Sequence, residues 1–358
     1  MSTDYQQISQ IVTEHRQEVV QTVVSELYTL RPDLAERYGQ RGRQRCLEDT
    51  HYHLMYLSEA LAVNSVDLFS DYIQWAKVLL AGFNIPTTDL ADNLQVMQDV
   101  LIRYSPQQAH DTLRQFLSHG VALLATPSDQ PASYLNEHNI LSELASQYLD
   151  ALIKGERHRA SQMILEAVQQ GTPVRDIYLH VFQRSQHEIG RLWQTNKITV
   201  AQEHYCTAAT QMIMSQLYPY IFSTEKNGRW MVATSVAGEL HEIGGRMVAD
   251  FFEMDGWDTL FLGANTPPGA IVQAVSGRKA DVLGISATMS FHVSRVVELI
   301  GLVRASDYGE HVKIIVGGYP FNIDPGLWKR VGADAYGRDA LEAVALANRL
   351  IKGQKHAN

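Results

Sequence analysis

The sequence has little cysteine and no long apolar run. Its 358 residues include two cysteines, Cys46 and Cys206, which lie far apart without the spacing of metal ligands. No apolar stretch approaches the roughly 20 residues that a membrane span requires, and the start MSTDYQQISQ lacks the charged and then apolar pattern of a signal peptide. We therefore expect reduced thiols, no disulfide framework and a cytoplasmic protein.

Basic residues are also in short supply. The chain has 30 Lys and Arg against 39 Asp and Glu, which gives a formal net charge of -9 at pH 7. A general nucleic-acid binder needs a basic surplus to neutralise phosphates, so direct DNA binding is not expected. The content of 45% hydrophobic and 19% charged residues is ordinary for a globular protein, and the length allows two or three domains.

Two kinds of periodicity divide the chain. The first 220 or so residues have helical spacing, and the rest alternates strand-like and helix-like segments, with the join near FSTEKNGR. Within the helical part, ATPSDQPAS at 125–133 has the composition of a linker. These boundaries predict a multidomain protein: an all-α domain at 1–128, a helical bundle at 134–220 and an α/β domain at 229–352.

The α/β part contains five short apolar strands, each followed by a segment of helical period: WMVATSVA, DTLFLGA, DVLGISAT, KIIVGGY and ADAYG. This alternation predicts a doubly wound, parallel, five-stranded sheet of the flavodoxin-like kind. Ligands bind at the carboxyl ends of the strands in such sheets. The segment GELHEIGG, at 238–245, follows the first strand and is expected at that edge.

His241 is the candidate ligand in this segment. A neutral imidazole binds transition metals well, and Glu239 could accept the proton of the other ring nitrogen. The third and fourth strands also end in small residues. Gly244 and Gly245 permit close approach of a bulky ligand. An exposed histidine in a surface loop is the alternative interpretation. The candidate residues at this edge are Glu239, His241, Gly244, Gly245, Ser286, Thr288, Gly317 and Gly318.

These motifs resemble the cobalamin-binding pattern of base-off, His-on corrinoid proteins, written DxHxxG, SxL or SxT, and GG. The resemblance covers roughly residues 230–352. It implies that His241 binds cobalt from the lower face, and that the displaced nucleotide tail enters a slot lined by Ser286 and the pair Gly317-Gly318. Glu239 stands where the family commonly has Asp, and either carboxylate can accept the histidine proton.

Helical periods near 134–153, 156–169, 173–193 and 199–218 predict a four-helix bundle, with Thr199 and Gln202 as a capping box. Trp193, followed after nine residues by Glu203-His204, resembles the W-x9-EH motif of cobalamin-dependent photoreceptors. That resemblance implies a cap over the upper face of adenosylcobalamin, with Trp193 in the space of the adenosyl group. From spacing alone, core packing and a surface charge pair are the more common explanation of such a triplet.

One position departs from the light-sensing repressors of that group. They have a histidine directly after the tryptophan, which binds cobalt once light has removed the adenosyl group, whereas this chain has Gln194. His187, His204 or water would have to replace it. The repressors also carry a basic helix-turn-helix that residues 1–128 lack.

The N-terminal helices have amphipathic spacing and predict a compact domain, for which a globin-like packing is one candidate. A linear tetrapyrrole needs an apolar slot, ring stacking and cations for its propionates. Residues of these types concentrate here: Arg41, Arg43, Arg45, Cys46, His51, Tyr52, His53, Tyr56 and Trp75. A dimerisation domain with an aromatic core is the alternative. The domain order resembles the photocobilins, which pair cobalamin with biliverdin, and implies noncovalent biliverdin binding.

The resemblance implies a light sensor and not an enzyme. Light would break the cobalt–carbon bond of adenosylcobalamin, the cap would repack, and a changed dimer or tetramer would signal to a separate partner. Three alternatives stay open: a corrinoid shuttle for methyl transfer, a haem-binding sensor that uses His241, and a structural regulator that binds neither cofactor. An adenosylcobalamin isomerase is not expected, because the chain lacks a substrate barrel. No membrane partner is expected.

Overall fold

The computed structural model describes residues 5–127, 131–135 and 139–354. The chain forms two compact units. The first consists of Met1–Ser128, Thr288–Glu298 and Tyr319–Gly332, and the second of Asp129–Ala287, Leu299–Gly318 and Ala333–Asn358. The units therefore do not follow the three predicted domains, because two short segments from the α/β part belong with the N-terminal helices. The centre of the predicted linker, residues 128–130, lies outside the described residues.

The described N-terminal part of the first unit contains the helices α1 (Tyr5–Glu14), α2 (Arg16–Leu30), α3 (Asp33–Ala62), α4 (Val66–Gly82), α5 (Thr87–Tyr104) and α6 (His110–Leu124). Apolar residues spaced three or four apart supply its interior, as in α2, where Val20, Val23, Val24 and Leu27 are all buried. Gly39 interrupts α3 with a φ of 60° and kinks it near its start. The predicted all-α N-terminal domain is confirmed.

The helical part of the second unit contains α7 (Ser142–Ile153), α8 (Arg157–Gln169), α9 (Val174–Asp176), α10 (Gln183–Gln194), α11 (Val200–Gln216) and α12 (Tyr218–Ile221). A π-helical segment, Ile177–Phe182, joins α9 to α10 in one continuous rod. The rods α7, α8, α9–α10 and α11 form the predicted helical cap. The predicted capping box is confirmed, since Thr199 accepts from the backbone of Gln202 and the Gln202 side chain accepts in return.

The start of the first bundle helix differs from the prediction. Residues 131–135 are not helical, residues 136–138 lie outside the described part, and α7 begins only at Ser142. Asn139 explains the late start. Its amide donates to the carbonyl of His180 and its side-chain oxygen accepts from the backbone of Leu141, which holds the chain in a turn before the helix.

The sheet contains β1 (Trp230–Ser235), β2 (Asp258–Phe261), β3 (Val282–Ser286), β4 (Lys313–Gly317) and β5 (Ala335–Gly337). All strand pairs are parallel, in the order β2-β1-β3-β4-β5. The helices that follow the strands are α13 (Ile243–Glu253), α14 (Pro268–Arg278), α15 (Val293–Arg304), α16 (Tyr319–Ile323), α17 (Leu327–Arg330) and α18 (Ala340–Gln354). The predicted doubly wound, five-stranded parallel sheet is confirmed.

The order of the strands reverses between β1 and β3. β2 is added on one side of β1, while β3 and β4 extend the sheet on the other side. In sheets of this order, ligands bind at the carboxyl ends of the strands beside that reversal. Among the described residues, no helix is both long enough and apolar enough to cross a membrane.

Candidate functional site

The strand ends that flank the reversal are in register. Ser235 at the end of β1 is paired with Ser286 at the end of β3, and Ser286 is paired with Gly317 at the end of β4. Three small residues therefore form one row at the carboxyl edge of the sheet. The loop that contains His241 leaves β1 directly beside this row.

Short-range hydrogen bonds fix the conformation of the His241 loop. Gly238 has a φ of 85°, and its backbone donates to Oδ1 of Asn265 at 2.9 Å. The hydroxyl of Ser235 donates to the carbonyl of His241 at 3.2 Å. The loop is thus tied both to the end of its own strand and to the loop that follows β2.

Glu239 is fully buried inside this loop. Its Oε1 accepts from the backbone nitrogens of Leu240 at 3.0 Å and His241 at 3.1 Å, and it lies 2.5 Å from Nδ1 of His241. The His241 side chain itself is 58% exposed. A buried carboxylate therefore orients an accessible imidazole.

The hydrogen bond to Glu239 is the main reason that the pKa of His241 is raised above its usual value; burial opposes this effect, and the negative charges of Glu239 and Glu203 add to it. A carboxylate at Nδ1 favours the tautomer in which that nitrogen carries the proton. Nε2 then carries the lone pair that binds a metal. His241 can therefore bind a metal ion through Nε2, while the carboxylate of Glu239 holds its Nδ1.

The glycines of the predicted site have different structural roles. A Cβ at Gly244 would meet no other atom within 4 Å, so the structure leaves open space there. Gly318 has a φ of 104°, and a Cβ at this position would lie 2.0 Å from the carbonyl oxygen of Ala287. The packing of the backbone against Ala287 therefore requires glycine at 318, whether or not a ligand is bound. Only Gly244 matches the simple prediction of room for a bulky group.

The cap places Glu203 close enough to His241 for its charge to raise the pKa of His241. Glu203 accepts from the hydroxyl of Thr207 at 2.9 Å, and His204 Nε2 lies 3.4 Å from Glu203 with the His204 side chain 76% exposed. Trp193 is half-buried against the core of the unit. Glu203 is thus the member of the W-x9-EH triplet with a direct electrostatic link to the candidate ligand.

The structure also places Gln194, which occupies the position of the upper-face histidine, and His187, one of its candidate replacements. Gln194 is buried, with 9% of its surface exposed. The ring of His187 packs edge-on against Tyr134, with centroids 5.1 Å apart.

Sequence reasoning missed a link between the cap and the His241 loop. Nε2 of Gln211 on α11 donates to Oε1 of Glu242 at 3.0 Å. Arg246 on α13 donates to the carbonyl of Gln211 at 3.1 Å and to the hydroxyl of Ser215 at 2.8 Å. The partners are 31 to 35 residues apart, so no local pattern could have revealed them.

Eight of the nine residues proposed for a tetrapyrrole fall into three groups, and Cys46 lies apart from them. His51 and Tyr52 line a groove of about 590 Å³ between α2 and α3, whose other residues are Gln17, Val20, Gln21, Gln44, Leu47 and Glu48. The three arginines are exposed, and of these Arg43 lies over the ring of Tyr28 and Arg45 pairs with Glu48 at 2.6 Å. The arginines therefore do not line the groove as expected.

The third group is an aromatic cluster inside the first unit. Nδ1 of His53 lies 2.7 Å from the hydroxyl of Tyr72, and the ring of Tyr56 stacks on Tyr72 with centroids 3.6 Å apart. Trp75 is roughly parallel to Tyr72 at 6.3 Å. Burial lowers the pKa of His53 to about 4, so its imidazole is neutral at physiological pH.

Cys46 lies on α3, and its thiol is half-buried. Asn93 donates a weak hydrogen bond to its Sγ at 3.7 Å. Burial raises the pKa of Cys46 to about 11, so the reactive thiolate is scarce at neutral pH. This state suits the prediction of noncovalent tetrapyrrole binding, which stays a prediction.

Comparison with known protein families assigns three regions. Residues 229–345 match the family of the B12 binding domain, and residues 144–218 match a second family with the same description. Residues 3–155 match the family of phycobilisome proteins. The two B12-binding regions coincide with the sheet that carries His241 and with the helical cap.

Curated relatives and a solved structure agree with this assignment. Dimethylamine corrinoid protein 2 of Methanosarcina acetivorans and dimethylamine corrinoid protein 1 of Methanosarcina mazei are each 27% identical over 218 residues, which is 59% of this chain and 98% of theirs. The structure of the monomethylamine corrinoid protein of Methanosarcina barkeri has a TM-score of 0.53 at 22% identity, covering 59% of this chain and 99% of that one, and shows the same fold. The chain therefore carries a corrinoid-binding module made of a helical and an α/β B12-binding domain.

Proposed function

We propose that this chain binds cobalamin base-off and His-on, with His241 as the lower axial ligand. The observation that carries the proposal is the 2.5 Å contact between Nδ1 of His241 and the fully buried carboxylate of Glu239, which orients an exposed imidazole at the carboxyl edge of the sheet. The open space at Gly244 fits a large planar ligand. When bound, cobalamin supplies a cobalt–carbon bond that is transferable in the methyl form and photolabile in the adenosyl form.

The test is a titration of the full chain with hydroxocobalamin, followed by absorption and by the cobalt(II) EPR signal after reduction. Nitrogen splitting from His241 is expected in the wild type and is expected to disappear in His241→Ala. His158→Ala, which removes an exposed histidine from α8 in the cap, is the matched control and should behave as wild type. Unchanged nitrogen splitting in His241→Ala would refute the assignment of the ligand.

Two functions of such a corrinoid protein are in competition. The names of the curated relatives support carriage of a methyl group, and they support it better than light sensing for the part of the chain that they match. That part is about three fifths of the chain, and the alignments already span nearly the whole of each relative. Methyl carriage therefore explains the corrinoid module but leaves the N-terminal helices without a role.

For the full chain we propose light sensing through adenosylcobalamin and a linear tetrapyrrole. The match of residues 3–155 to phycobilisome proteins supports this function, since most of that region precedes the two B12-binding matches at 144–218 and 229–345. The groove beside His51 and Tyr52, with a volume of about 590 Å³, is the candidate position for the tetrapyrrole. In this function the chain is a signalling protein, not an enzyme, and acts on a separate partner.

One experiment separates the two functions. The chain is supplied with adenosylcobalamin, methylcobalamin and biliverdin, singly and together, and absorption spectra are taken in the dark and after green light. A light-dependent adenosylcobalamin spectrum together with a red-absorbing biliverdin band would support the sensor. Preference for methylcobalamin, no biliverdin uptake and no specific light response would support the methyl carrier. In a separate titration with haem, a Soret band would indicate a haem sensor.

A further inference from the structure

The first unit contains two segments that directly continue the cobalamin motifs of the sheet. Thr288–Glu298 begins at the last residue of the Ser286-Ala287-Thr288 motif, and Tyr319–Gly332 begins directly after Gly317-Gly318. Both segments pack with the N-terminal helices in that unit. Side chains of α3 and α4 can therefore bind the two segments that follow β3 and β4.

Glu59 on α3 holds the first segment. Its Oε2 accepts from the backbone nitrogen of Ser294 at 3.0 Å and from the hydroxyl of Ser294 at 2.6 Å. Since α15 begins at Val293, the carboxylate satisfies a backbone donor in the first turn of that helix, where a negative charge is favourable. The ring of Phe291 adds an edge-on contact with Tyr56 at 5.1 Å.

Residues of α4 and its N-cap hold the second segment. The hydroxyl of Tyr319 donates to Oδ1 of Asp71 at 2.8 Å, and the hydroxyl of Ser65 donates to Oδ2 of Asp324 at 2.6 Å. Tyr319 directly follows Gly318, whose backbone passes so close to Ala287 that a Cβ at this position would lie 2.0 Å from the Ala287 carbonyl oxygen. A displacement of Tyr319 would therefore move the backbone of its neighbour Gly318 against Ala287.

We propose that Glu59 and Asp71 are positioning residues for the slot that takes the nucleotide tail of the corrinoid. They hold Ser294 and Tyr319, which follow β3 and β4 in the chain, and through this covalent connection they favour the arrangement of Ser286, Gly317 and Gly318 that admits the tail. This inference rests on the proposed cobalamin binding. It implies that a ligand of the N-terminal helices changes corrinoid affinity and, by reciprocity, that the corrinoid changes the affinity for that ligand.

Two corrinoids separate a role in the slot from a general effect on the fold. Cobalamin carries the nucleotide tail and cobinamide lacks it, so only cobalamin uses the slot. In the full chain, Glu59→Ala and Tyr319→Phe should weaken hydroxocobalamin binding by about tenfold, within the usual range of coupling between sites, and should change cobinamide binding by less than about twofold. Dissociation constants are measured by absorption titration.

A second measurement needs no corrinoid. Hydrogen exchange of the free protein should accelerate at residues 288–298 in Glu59→Ala and at residues 319–325 in Tyr319→Phe. Tyr319→Phe removes only a hydroxyl from an exposed ring, so it should fold as wild type does. Glu36→Ala, an exposed position on the same helix as Glu59, and Tyr220→Phe, an exposed tyrosine of α12, are the matched controls.

The possible results have distinct meanings. Unchanged cobalamin affinity in both variants would overturn the positioning role, and so would equal losses of affinity for cobalamin and cobinamide. The proposed function would still hold in either case if the wild type binds cobalamin through His241. A wild-type chain that binds neither corrinoid would instead overturn the proposed function itself. The expected pattern is a loss specific to the corrinoid with a tail, together with local loss of protection.

Discussion

Glu239 is the residue on which the chemistry of the candidate site depends most. Its buried Oε1 contacts Nδ1 of His241 and two backbone nitrogens. Second-layer partners of metal-binding histidines typically account for 10- to 100-fold in metal affinity. We expect Glu239→Gln to weaken hydroxocobalamin binding by about that factor, because the neutral amide supports the imidazole less well than the carboxylate. An absorption titration measures the loss.

Two companion variants sharpen this test. Glu239→Asp introduces the residue that resembling corrinoid proteins commonly carry and should retain binding, while the exposed Glu225→Gln should have no effect. Circular dichroism checks that each variant is folded. Wild-type affinity in a folded Glu239→Gln protein would show that the carboxylate does not support His241.

The glycines at 244 and 318 should respond differently to alanine. At Gly318 the added Cβ meets the carbonyl of Ala287 at 2.0 Å in a left-handed backbone conformation, so Gly318→Ala should lower the free energy of unfolding by at least about 1–3 kcal/mol. At Gly244 the space is open, so Gly244→Ala should leave stability within about 0.5 kcal/mol and weaken cobalamin binding. Urea unfolding and cobalamin titration of both variants measure the contrast, and equal stability of the two variants would contradict it.

Among the elements, α11 depends on its capping box for a defined start. Thr199 and Gln202 each satisfy a backbone donor of the other, and Glu203 follows directly. Thr199→Ala should lower the free energy of unfolding by about 1 kcal/mol, since an unsatisfied donor is left at the helix start. Gln202→Ala should cost less, and the double variant should cost less than the sum because both side chains serve one motif. Strict additivity in urea unfolding would show that the two side chains act independently.

The contact between the π-helical segment and α13 should make stability depend on pH. The hydroxyl of Tyr178 donates to Oδ2 of Asp250 at 2.8 Å, and burial raises the pKa of Asp250 to about 6. The unfolded state, with a pKa near 3.9, loses this proton first as pH rises, so the ionisation of Asp250 disfavours folding progressively between about pH 4 and 6. The full cost is up to about 3 kcal/mol.

Asp250→Asn removes that ionisation and keeps a hydrogen-bond acceptor for Tyr178. Relative to wild type, the variant should therefore gain stability as pH is raised from 4 to 7. Urea unfolding at several pH values measures the difference between the two proteins, which cancels contributions from other titrating groups. A difference that does not change with pH would show that the pKa of Asp250 is the same in the folded and the unfolded state.

At the scale of the whole molecule, local patterns were sufficient for the sheet and for the ligand pair. The βα alternation fixes strand order through short connections, and Glu239 and His241 are only two residues apart. Contacts between distant positions were not accessible, such as Glu59 with Ser294, which are separated by 235 residues. The clustered tetrapyrrole candidates illustrate a further limit. His51, Tyr52 and His53 are successive on one helix, so each points about 100° away from the last. His51 and Tyr52 line the groove, but His53 is buried against Tyr72, so the three residues do not share one slot.

The proposed sensor makes a prediction for the assembly as a whole. A cap that repacks against the His241 loop must disturb the hydrogen bonds from Gln211 to Glu242 and from Arg246 to α11, which are among the contacts that join the two B12-binding regions. Exposed surface on α11 would then change, so the mass of the adenosylcobalamin complex, measured by light scattering during gel filtration, should differ between dark and green light. His241→Ala should abolish the difference, and Gln211→Ala should shift the dark protein towards the illuminated mass. A spectral response to light at constant mass would mean that the output is carried by a change inside each chain, and a methyl carrier would show neither response.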